Sequence, residues 1–140
     1  MRTVRWLLVA PFAIAAWYVV FVVGAVTYTA VEEHLCPPDQ FVSGACVNDR
    51  VMTILQVVVY AFIALSAVAV VIVAVSTAPA HRDIVAWGTF VFGAALAVLV
   101  GAEGHAYGEM ATAILAGLVT TVAAVRRASN ARPSPPPPSP

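Results

Sequence analysis

Apolar residues run without a charged interruption through residues 6–31, 51–78 and 84–102, and a shorter run covers 110–125. A helix needs about 20 residues to cross a hydrocarbon core of roughly 30 Å, so each of the first three runs is long enough to span. The fourth would reach only about 24 Å at 1.5 Å per residue. It spans if the helix begins near Gly104 or Ala106 and Arg126 and Arg127 extend to the far surface, which draws Glu109 about a turn inside the bilayer edge. The pattern predicts an all-α polytopic membrane protein with four transmembrane helices at about 6–31, 51–78, 84–102 and 106–125.

Local signals set the ends. The first run could be read as a signal peptide after Arg2 and Arg5, but its apolar stretch continues unbroken and predicts a retained helix. Pro11 falls in its first turns, where a missing amide donor costs least. Asn48 or Asp49 can cap the second helix, which ends before Pro79. From Ala128 the chain turns polar and closes on PSPPPPSP, which predicts a disordered Pro/Ser-rich tail over 128–140 behind a membrane domain of 1–127.

Composition supports lipid as the solvent: 61% of residues are hydrophobic and 10% charged, against about 25% charged in soluble domains. Seven arginines balance seven acids, with no lysine, which speaks against nucleic acid as a partner. Their placement is strongly sided. Arg2, Arg5, Arg82, Arg126, Arg127 and Arg132 share one side of an alternately threaded chain, and only Arg50 falls opposite. The positive-inside rule therefore predicts both termini in the cytoplasm. Glu32, Glu33, Asp39, Asp49, Glu103 and Glu109 lie on the outer side. Arginine without lysine suggests a GC-rich bacterial genome, hence a bacterial plasma membrane.

Cys36 and Cys46, the only cysteines, both fall in the outer loop between helices 1 and 2, on the oxidising side where disulfides persist. Nine intervening residues do not make a Cys-x-x-Cys redox or metal motif, so the pair reads as a staple. Six of the eight glycines lie between Gly88 and Gly117. Gly93, Ala97 and Gly101 on helix 3, with Ala113, Gly117 and Thr121 on helix 4, make small-residue stripes that predict a tight helix 3–helix 4 hairpin.

Chemistry has few places to reside. The interior offers only Gln56, Tyr60, Ser66, Thr112, Thr120 and Thr121, and such hydroxyls usually return to a carbonyl of their own helix. At the outer face, His34, Glu103, His105 and Glu109, with Glu33 in reserve, form a candidate metal or proton site. His105 and Glu109 would share a helix face, and imidazole with carboxylate suits a divalent transition metal. No cofactor is expected beyond the divalent metal such a cluster could take, and the same residues also suit a plain membrane interface. Without a nucleophile and base pair, no enzyme is expected. The leading expectation is an interaction or accessory subunit packing through its helices, as a homo-oligomer or in a larger membrane complex. The alternative is a small transporter-like protein handling an ion, metal or solute through the outer cluster.

Overall fold

The structure, a computed structural model, describes residues 2–42, 45–78 and 81–130, with the backbone alone for 2–7. Four long helices dominate it: α1 (Arg2–Leu35), α2 (Asp49–Thr77), α3 (Arg82–Glu103) and α4 (Tyr107–Asn130). All four are long and apolar enough to cross a membrane. Between α1 and α2, a 3₁₀ turn at Pro38–Gln40 leads into a two-residue antiparallel ladder of β1 (Phe41–Val42) and β2 (Ala45–Cys46). The Cys36–Cys46 disulfide closes this connection, with Cα atoms 5.9 Å apart.

The element ends depart from the sequence expectation at Pro11 and at the end of α4. α1 begins at Arg2, so Pro11 lies inside the helix rather than in its first turns. There it removes one amide donor, a loss that a membrane helix tolerates where neighbouring groups or waters re-satisfy the freed carbonyl. α4 continues to Asn130, three residues beyond the expected boundary at 127. Ala128, Ser129 and Asn130 contain no helix breaker, and Ser129 Oγ donates to the Arg126 carbonyl at 2.8 Å. Most of the expected Pro/Ser tail, 131–140 with Arg132, lies outside the described residues, as does Pro79. At the start of α2 it is Asn48 that caps: its side-chain oxygen accepts from the amides of Arg50 (3.0 Å) and Val51 (3.2 Å).

α2 is the hub, packing against α1, α3 and α4, whereas α1 has α2 as its only substantial helical neighbour. The reason is visible in the sequence of α1. Its covered edge follows Val9, Ala13, Ala16, Val20, Gly24, Thr27 and Val31, a narrow seam at three- and four-residue spacing, which suits one partner helix at a shallow crossing. Gly24 lets the Phe62 ring of α2 lie directly on the α1 backbone, because a Cβ there would stand 3.0 Å from the ring. Near the loop, buried Cys46, Val51 and Leu55 pack with Tyr28, Val31 and Cys36, joining the disulfide to the helix seam.

α3 and α4 form the second hairpin. A Cβ on Gly101 would stand 2.8 Å from Met110 Cβ, and one on Gly117 would stand 3.3 Å from the Phe90 ring. These two pairs fix an antiparallel register in which Ala86 comes level with Thr121. Gly93 does not take part: it is exposed, with nothing within 4 Å of an added Cβ. Four-residue spacing slips around a helix that repeats every 3.6 residues, so the Gly93 end of the expected stripe turns away from α4.

Thr121 is 0% exposed, and its hydroxyl has no hydrogen-bond partner. Thr112 and Thr120, by contrast, donate to the carbonyls four residues back at 2.8 Å, as helix hydroxyls commonly do. A buried hydroxyl without a partner costs roughly 1–3 kcal/mol. Replacing it with the similarly shaped valine, Thr121→Val, is expected to raise stability by about 1–2 kcal/mol. Thermal unfolding in detergent micelles reads this directly, and a lower midpoint would show that the hydroxyl is paired.

Candidate functional site

The two connections at the loop end of the bundle bring together the C-termini of α1 and α3 and the N-termini of α2 and α4. Every residue of the outer Glu/His cluster lies at this end. Their local settings differ. Glu32 is drawn into the disulfide loop, where its Oε1 accepts from the Cys46 amide at 3.1 Å. Glu33 and His34, on the far side of that last turn, are exposed. Glu103 is the last residue of α3 and is also exposed.

The α3–α4 turn positions His105. The Gly104 amide donates to the Val100 carbonyl and the Ala106 amide to the Gly101 carbonyl, both at 3.0 Å, which ends α3 with a wrapped-back turn. Closing that turn puts His105 at φ 55°, in the left-handed region where glycine is the usual occupant. His105 therefore precedes α4, which starts at Tyr107. The expected sharing of one helix face by His105 and Glu109 is corrected accordingly: the histidine is in the turn, exposed, with its ring edge-on to Tyr107 at 6.2 Å.

Glu109 looks elsewhere. Its Oε1 accepts from Gln56 Nε2 at 2.7 Å, a bond that ties the first turn of α4 to the start of the third turn of α2. One turn further along α2, Tyr60 places its hydroxyl against Gly108, where an added Cβ would stand only 2.5 Å away. Gln56, Tyr60, Gly108 and Glu109 thus form a polar clamp between two parallel helices. The sequence held a signal for this: Gln56 is the one amide inside the four apolar runs, and in lipid it needs a partner.

Among the described residues, no group of three or more His, Cys, Asp or Glu side chains is placed to hold a metal ion. His34, Glu103, His105 and Glu109 share an end of the bundle but are not gathered into a ligand set. His34 is exposed at the end of α1, whose principal partner among the described residues is α2, whereas Glu103, His105 and Glu109 belong to the α3–α4 hairpin. What the arrangement does chemically is narrower. It holds one carboxylate, Glu109, by a side-chain amide on the exposed edge between two apolar helices.

The clamp makes a measurable prediction. Gln56→Leu removes the donor and leaves Glu109 facing apolar surface, with an expected loss of about 0.5–1.5 kcal/mol, modest because interhelical hydrogen bonds in membranes average below their nominal strength. A double-mutant cycle with Glu109→Leu should recover most of that loss as coupling energy. Strict additivity would mean that the pair does not interact. No protein-family model matches the chain, and no curated protein or solved structure shows significant similarity to it.

Proposed function

We propose that this chain works by helix packing, as a non-catalytic interaction or accessory subunit in a homo-oligomer or a larger membrane complex. The reading places it in a bacterial plasma membrane with both termini cytoplasmic, supported by the arginines at the end opposite the loops. One observation carries the functional part. Among the described residues, α1 is covered along a single narrow seam, with α2 as its only substantial helical neighbour. Its remaining surface carries Phe12, Trp17, Tyr18 and Phe21, all about half exposed. Trp17 and Phe21 stack on each other at 5.5 Å, a preformed aromatic ridge that adds packing area with little rotamer entropy to lose.

Purification from native membranes in mild detergent tests this. An assembly larger than the monomer is expected, reduced to monomer by Trp17→Ala with Phe21→Ala while the disulfide and helix content persist. A wild-type chain that runs as a stable monomer would overturn the proposal. The alternative, ion or solute handling, draws on Glu109 and its amide partner. Its signature is a self-oligomer whose stability depends on the ion supplied.

A further inference from the structure

The α1–α2 hairpin stands above the α3–α4 turn. Gln56 is seven residues into α2, yet it pairs with Glu109, the third residue of α4. At 1.5 Å per residue, α2 therefore starts about 7 Å beyond α4. The disulfide loop caps this raised end, with Cys46 folded back against Val51 and Leu55. Headgroup layers add only about 5–7 Å to each side of the hydrocarbon core. With the α3–α4 turn at the interface, an offset of this size brings the start of α2 and the loop it carries to the outer edge of the headgroups.

The described residues of this loop are tied together at several points. The disulfide joins its two arms, the Val47 amide donates to the Gln40 carbonyl at 3.0 Å, Asn48 Nδ2 donates to Gln40 Oε1 at 2.6 Å, and Glu32 holds the Cys46 amide. On this frame Leu35, Phe41, Val42 and Val47 are between 44% and 58% exposed. Exposed carboxylates share this end of the fold: Glu33, Asp39 and Asp49 on the same hairpin and Glu103 on the neighbouring turn, with Arg50 the one arginine at this end among the described residues.

We propose that this apolar, acid-rimmed knuckle is a docking surface for a protein partner that presents basic side chains around an apolar cleft. The charge of the rim selects that occupant. Carboxylates at this density disfavour an anionic lipid surface and disfavour a second knuckle, whereas arginine or lysine on a partner is steered toward them. Four apolar side chains on a cross-linked frame supply contact area with little ordering cost. This surface is separate from the α1 ridge, so either can fail without the other.

A photo-crosslinking residue at Val42, in the full chain in its native cells, tests the assignment. The expected result is one dominant protein adduct, identified by mass spectrometry, whose crosslinked segment lies beside basic residues. Asp39→Lys with Glu33→Lys should lower its yield at least fivefold, as should Phe41→Ser, while a non-reducing gel shows the disulfide intact in both variants. Acidic replacements at the partner's basic residues should restore the adduct to the charge-reversed chain. Adducts to lipid alone, to a second copy alone, to a protein indifferent to these changes, or no adduct at all would each overturn the proposal.

Discussion

Gly101→Leu is expected to force α3 and α4 apart at the loop end and to lower stability by about 2–4 kcal/mol. The argument begins with an atom that cannot move aside. The nearest neighbour of an added Cβ is Met110 Cβ, at 2.8 Å, and that carbon is bonded directly to the α4 backbone. Rotating the Met110 side chain does not relieve the clash, so the helices themselves must shift. Overpacking of this kind costs roughly 1–3 kcal/mol. The Gly101 carbonyl also accepts from the Ala106 amide to close the turn, and losing that bond adds about 0.5–1.5 kcal/mol. Gly93→Leu is the matched control. It meets open space and, through helix propensity, should be neutral or slightly stabilising. Denaturant titration of both variants in micelles measures the contrast, and equal losses at the two positions would refute the observed register.

That contrast also shows what the sequence could and could not reveal. Apolar run lengths read out four spans because a lipid-crossing helix must be continuous, and the lone cysteine pair read out its own bond because no other partner existed. Relative helix placement was less legible. Gly93 and Gly101 look equivalent in a small-residue stripe, yet only Gly101 meets α4, since the register depends on where the turn closes. Gly24 drew no notice beside six clustered glycines, although it alone lets Phe62 lie on α1. At the candidate site, pairing by spacing suggested His105 with Glu109. The turn put His105 at positive φ, outside the helix, and gave Glu109 a partner 53 positions away in sequence. Local periodicity carries no information about such a contact. An isolated amide in an apolar run does, because its unmet hydrogen bonds demand a partner somewhere.

Cys36→Ser with Cys46→Ser is expected to act on α1 more than on the rest of the bundle. In the chain-entropy model, opening a loop of this size costs about 2.5–3 kcal/mol. How that loss is distributed follows from the packing. α2, α3 and α4 hold one another through Gly101–Met110, Phe90–Gly117 and the Gln56–Glu109 bond. Among the described residues, α1 is held chiefly by the α2 seam and the disulfide loop. In lipid that seam gains dispersion contacts but no hydrophobic drive, so the covalent tie carries a larger share of α1 docking than it would in water. Without it, the Glu32–Cys46 and Gln40–Val47 bonds lose the frame that aligns them. Amide exchange in nanodiscs should therefore quicken over residues 36–48 and along the seam near Tyr28 and Val31, with exchange in α3 and α4 unchanged. Uniform acceleration through all four helices would instead show that α1 is integral to one cooperative bundle and that its exposed ridge is not poised for a partner.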